Sequence, residues 1–394
     1  MNVLSAVTGP PTAAAINLFS KEKYVKYNDP GVEPPVENEA KLETELHEII
    51  SRVIKRNLDK HGHGYRATHV KTQAVVKGTF TVAPDLPDYL AQGICSAENA
   101  KTDHPVAIRF ANEPSFLQDD RASGPRGCSM KVFNVEGKYM DQNGEQTQTH
   151  DMMFNNAPIL ELRDLPNTVE IFKVREAHFD NPYKSLYYLS SRTNILRDEI
   201  AAIMKTRSDA ALQMAPSQLP NQHFLSYTMY SQSAYRWGDY IAKYALFPST
   251  SLQKKLGATL TRLKITDNSD PEQHRIWLRE YFAENEAEYE LKVQLCQTIR
   301  EQSVEDTGLP WVEMAFPFQT VGHVRLYKQE SFDKERVKFW EDSMKLNPWY
   351  GLEAHRPLGS VNRLRRKLYE MSAARRQEIN GKKVQNIKSI DELP

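Results

Sequence analysis

The sequence predicts an α+β fold, a closed antiparallel β-barrel with helices packed outside it. Strand-like segments rich in Val, Ile and Phe cluster between about residues 70 and 135 and recur between 289 and 326. Blocks with apolar residues at helical spacing stand before, between and after them. There is no internal repeat. Strands grouped between helical blocks favour α+β.

Residues 1–38 are rich in Pro, Gly and small side chains and read as an extended N-terminal arm. A core domain is expected over 39–380, followed by a C-terminal tail over 381–394. From Glu39 to about Asn57, Leu42, Leu46, Ile49, Ile50, Val53 and Ile54 recur at helical spacing. The stretch Val70–Val82 follows as a strand, then Pro105–Phe110 and Ser129–Val135 as compact strands bounded by turn residues. Helices are expected from about Asn167 to Lys205 and from Pro271 to Ala287. Tyr289–Leu295 and Val321–Leu326 read as further strands. The segment from Phe332 through Glu378 is mainly helical, with a loop at Asn347–Gly351.

With 51 Lys+Arg and 51 Asp+Glu among 394 residues, the net charge is zero, which removes any general electrostatic reason to bind nucleic acid or an acidic membrane. No apolar run approaches the roughly 20 residues of a membrane span, and the N-terminus lacks a basic signal-peptide region. An intracellular, soluble protein, cytoplasmic by default, is expected. Cys95, Cys128 and Cys296 are widely separated, so neither a zinc site nor a disulfide framework is indicated.

Near the C-terminus a cationic helix places Arg365 one turn before Tyr369, on the same face. A guanidinium beside a phenol favours the phenolate, and phenolate is the axial ligand of haem iron in catalases. Alone, the spacing is common helix surface. Four further constellations precede it: Arg66-Ala67-Thr68-His69-Val70-Lys71, Arg109-Phe110, Pro125-Arg126-Gly127, and Asn155-Asn156-Ala157-Pro158 with Arg163-Asp164 behind. Together and in this order they resemble the haem catalase superfamily, over about three-quarters of the chain. The loop Trp349–Ser360 and the short stretch after Tyr369 are most similar to the small, core-sized branch, the catalase-like haem peroxidases and catalase-related allene oxide synthases.

The resemblance implies a catalase-like barrel core with surrounding and C-terminal helices, holding haem b with ferric iron. Tyr369 would be the metal ligand, with Arg365 keeping it anionic. His69 would be the distal acid/base and Asn155 its hydrogen-bonding partner, while Arg66 and Arg109 would pair with the haem propionates. No role is carried over for Arg363 or Arg366, which are expected to be solvated or near the haem edge. Three positions depart from the pattern: Ala111 replaces a serine that supports the distal histidine, Leu160 replaces an aromatic that stacks on the haem, and Thr68 replaces a valine. Threonine there resembles the allene oxide synthases, so Thr68 joins the candidate catalytic residues.

The function implied is cleavage of the O–O bond of hydrogen peroxide or an organic hydroperoxide, with a small reducing co-substrate in the peroxidase case. The alternatives are a fatty acid hydroperoxide rearranging enzyme and a non-enzymatic haem-binding protein. A homodimer, with the arm docked on a neighbouring subunit, is one assembly that the resemblance allows.

Overall fold

The computed structural model describes residues 23–394 apart from 114, 122–123, 141–147, 161, 178, 180–220, 259–262 and 267. Among the described residues nine strands form one antiparallel sheet: β1 Thr72–Val82, β2 His104–Asn112, β3 Arg126–Phe133, β4 Thr149–Asn155, β5 Met229–Tyr230, β6 Tyr235–Trp237, β7 Tyr240–Pro248, β8 Ala287–Leu295 and β9 Gln319–Leu326. β5 pairs with both β4, through Asn155 and Tyr230, and β7, through Met229 and Leu246. That double pairing closes eight of the strands into a barrel, and β6 pairs with β7 alone. Closure removes the unpaired edges that an open sheet leaves.

Alternation along the strands sorts two faces. Ala74, Val76, Phe80, Val106, Ile108, Phe110, Met130 and Val132 point inward and join the barrel core. Val75, Ala107 and Phe133 point outward against Val337 and Trp340 of helix α5 (Lys334–Asp342) and against Ile387 and Leu393 of the final segment. Numbered with α5, the other helices among the described residues are α1 Glu39–His61, α2 Leu165–Ala177, α3 Ser251–Gly257, α4 Gln273–Glu284 and α6 Ser360–Asn380. Leu46, Ile50 and Val53 of α1, Val169 and Phe172 of α2, and Leu364 of α6 make a core of their own. The functional cavity lies where this helical layer meets the barrel wall.

The expected strands and the first helix are present within a few residues. The helix expected from Asn167 to Lys205 appears as α2, and its continuation beyond 179 lies outside the described residues. β4, β5, β6 and β7 were not among the strands expected from the sequence. β5 and β6 are too short to show a period, and β7 is buried on both faces, with Lys243 in its middle. Residues 23–32 help cover that outer face: Val25 N–H donates to the Cys296 carbonyl and Tyr27 N–H to the Asp239 carbonyl, each at 2.9 Å.

Candidate active site

A cavity of about 230 Å³ separates the barrel wall from the helices, and all seven predicted site residues line it: Arg66, Thr68, His69, Arg109, Asn155, Arg365 and Tyr369. They come from the segment before β1, from β2 and β4, and from α6.

The barrel wall is the outer face of three paired strands. Ala111, Gly127 and Asn155 stand in one cross-strand row, and Arg109, Ser129 and Met153 in the next. Small residues in the middle of both rows leave room above the strands. Of the paired asparagines, Asn156 is committed to the wall: its Oδ1 accepts from Arg126 N–H at 2.8 Å and its N–H donates to the Arg126 carbonyl at 2.9 Å. Asn155 is left to face the cavity.

His69 and Arg66 do not alternate as strand residues, because both precede β1. His69 adopts a left-handed backbone, φ 54°, unusual for a residue with a side chain. Its N–H donates to the Glu113 carbonyl at 2.8 Å, and its carbonyl accepts from Arg109 Nη2 at 2.5 Å. The Ala111 backbone carbonyl faces the imidazole and favours its protonated form. The group at 111 that the ring meets is thus main chain, since Ala111 carries no hydroxyl. Burial pushes the His69 pKa down to about 4, assisted by Arg109 and Arg365 and opposed by Glu113 and the Ala111 carbonyl, so the ring is neutral at pH 7.

The helix wall is α6. Arg365 Nη2 donates to the Tyr369 hydroxyl at 3.1 Å, while its Nη1 donates to Asn362 Oδ1 at 3.1 Å and lies 3.4 Å from the Tyr235 hydroxyl. Burial disfavours the Arg365 charge, but Tyr369, Tyr235 and Tyr244 outweigh it and hold the guanidinium more firmly protonated than usual.

The start of α6 is pinned. Gly359, at φ 86°, donates its N–H to Glu33 at 2.8 Å, and the Ser360 N–H donates to Glu305 at 2.9 Å. Arg363, expected to be solvated, forks onto Glu39 at 2.7 and 2.9 Å, reaches Glu33 at 2.8 Å and lies 3.5 Å from Glu305. Glu33 and Glu39 lie more than 300 positions away, so helical spacing carries no hint of this clamp. Arg366 lies over the Trp349 ring at 5.2 Å.

Three arginines converge at one part of the cavity. Arg66 donates to the Trp340 carbonyl, Arg109 to Thr72 Oγ1 at 2.7 Å, and Arg376 to the Glu341 and Met344 carbonyls. Burial lowers the pKa of each; with Arg66 adding to burial, that of Arg109 falls to about 9, and Arg66 and Arg109 both lower Arg376. Such crowding is relieved by an anion. Glu113 is the one acidic residue lining the cavity among the described residues, and it pairs with Arg175 at 2.9 Å. Arg376 was not singled out from the sequence. Its signal was there: seven residues after Tyr369, two turns, it shares the same helix face.

These residues fit a haem: a phenol backed by a guanidinium on one wall, a neutral imidazole and a carboxamide on the other, and three buried arginines suited to propionates. The three make no direct ion pair among the described residues, with Glu341 and Asp342 acting on them only from a distance. Among the described residues no cluster of His, Cys, Asp or Glu suits a bare metal ion, and no helix is long and apolar enough to cross a membrane.

No protein-family model and no curated protein matches the chain. Solved structures do. A fungal catalase aligns with TM-score 0.56 at 15% identity, over 93% of this chain and 70% of its own. Catalase A from Saccharomyces cerevisiae aligns with TM-score 0.58 at 16% identity, over 91% and 68%. A bacterial catalase aligns with TM-score 0.56 at 14% identity, over 91% and 63%. At such identities the likeness is one of architecture: this chain has the catalase fold, an eight-stranded closed antiparallel barrel with helices around it.

Proposed function

We propose that this chain binds haem b and cleaves the O–O bond of hydrogen peroxide or an organic hydroperoxide, with Tyr369 as the phenolate iron ligand. The observation that carries the reading is the meeting of Tyr369–Arg365, His69–Asn155 and three crowded arginines in one cavity. Arg66, Arg109 and Arg376 would hold the propionates by charge-assisted hydrogen bonds. Arg365 donates to the Tyr369 oxygen at 3.1 Å and so sets a guanidinium beside the ligand atom. When bound, ferric haem supplies the redox chemistry of O–O cleavage.

The remaining work belongs to protein groups. Neutral His69 accepts the proton of the peroxide and returns it to the departing oxygen. Asn155 orients the peroxide through its carboxamide.

A second reading, rearrangement of a fatty acid hydroperoxide, is favoured by one feature. Thr68 and Leu160 line the cavity together with Leu46, Ile50, Leu162 and Phe172, an apolar side suited to a bulky peroxide. The test is to give haem-loaded protein hydrogen peroxide, with and without a reducing co-substrate, and separately a polyunsaturated fatty acid hydroperoxide. Oxygen release, oxidised co-substrate, or an allylic epoxide and its ketols identify catalase, peroxidase or rearrangement. Haem uptake without turnover of any of them would leave a haem-binding protein and remove the enzymatic reading.

A further inference from the structure

We propose that Gly127 is a positioning residue for His69: the bare β3 backbone at 127 is the surface on which the imidazole rests. A Cβ at 127 would lie 2.3 Å from His69 Cε1 and 2.7 Å from His69 Nδ1, closer than side chains tolerate, whereas the nearest backbone atom, the Phe154 carbonyl oxygen, is 3.1 Å away. The obstruction is therefore the histidine ring. The His69 main chain has little room to retreat, since its N–H is held by Glu113, its carbonyl by Arg109, and its φ is already left-handed.

A methyl group at 127 must instead turn the ring, which shifts it from its seat beside the Ala111 carbonyl. That carbonyl and Gly127 are cross-strand neighbours, paired through Ala111 and Gly127. One row of the barrel thus supplies both the support beneath the imidazole and the carbonyl that faces it. The consequence for turnover rests on the reading of His69 as the proton-transfer group; the seating itself does not.

A double-mutant cycle separates the two. Wild type, Gly127→Ala, His69→Ala and the double variant are compared as full-length chains, by thermal midpoint and by peroxide turnover after haem loading. Gly127→Ala is expected to lower the midpoint in the wild-type background and to leave it unchanged in the His69→Ala background, where the ring is gone. Turnover by Gly127→Ala should fall about a hundredfold, as expected for a misplaced acid/base group, with haem content unchanged and with the double variant no slower than His69→Ala.

If Gly127→Ala fails to fold while the double variant folds, the clash is with His69 and the proposal stands. Equal destabilisation in both backgrounds, failure of both to fold, or wild-type turnover by haem-loaded Gly127→Ala would overturn it. Wild type that takes up no haem would defeat the proposed function alone, since the thermal cycle still reads the Gly127–His69 contact.

Discussion

On the helix wall, Arg365, Tyr369 and Arg376 stand four and seven residues apart along α6, and their side chains converge because one regular helix repeats them on one face. On the barrel wall, His69, Ala111, Gly127 and Asn155 come from four separate segments, and their arrangement depends on cross-strand register, a left-handed residue and main-chain carbonyls. The helix wall presents side chains on a uniform scaffold. The barrel wall works as much through what is missing, a Cβ at 127 and a hydroxyl at 111, as through what is present. Changes to the first should act through charge and ligation, and changes to the second through small displacements.

The largest difference between the walls should appear in acid. Burial holds His223 and His355 down to about 4, and His150 and His274 well below 6.5; all four pack on or around the barrel and none is on α6. As pH falls below 6.5, the unfolded chain binds protons that the folded chain refuses. Stability is therefore full above pH 6.5 and lost as pH falls towards 4, at about 1.4 kcal/mol per pH unit for each histidine. Urea midpoints measured from pH 7.5 to pH 5 should drop steeply, and a flat profile would contradict the neutral burial of these rings.

His69→Ala should retain haem but lose turnover by roughly 10²–10⁴-fold, the span of a lost acid/base group. Undiminished turnover would remove His69 from the chemistry and leave the helix wall as the only functional one. On that wall, Arg376→Met should weaken haem binding roughly tenfold to a hundredfold, the range for a charge-assisted hydrogen bond. Haem dimethyl ester, which lacks the carboxylates, should bind wild type less well and should discriminate less between wild type and Arg376→Met. Equal losses with haem and with the ester would mean that Arg376 does not meet a propionate.

The smallest effect should come from the helix anchor. Arg363→Met leaves Glu33, Glu39 and Glu305 facing one another at the start of α6. The site is partly exposed, so a loss of about 1–2 kcal/mol is expected, read as a lower thermal midpoint with haem affinity nearly kept. A large loss of haem with no change in stability would place Arg363 at the cofactor instead.

The contrast between walls also explains what the sequence made legible. Arg365 and Tyr369 announce themselves by helical spacing, and β1–β3 by apolar runs between turn residues. Arg376 was equally available by the same spacing. The support of His69 was not: a main-chain carbonyl has no letter of its own, and Gly127 reads as a turn glycine until the register of β2 and β3 brings it beneath the ring. β7 was hidden by burial on both faces, and the Arg363 clamp by sequence separation.

The central claim is that Tyr369 and His69 face a haem between them, with Tyr369 on the iron. The most direct measurement is the ferric absorption spectrum of haem-loaded wild type beside Tyr369→Phe. The account predicts a high-spin tyrosinate spectrum that the variant loses; an identical spectrum in the two proteins would contradict it.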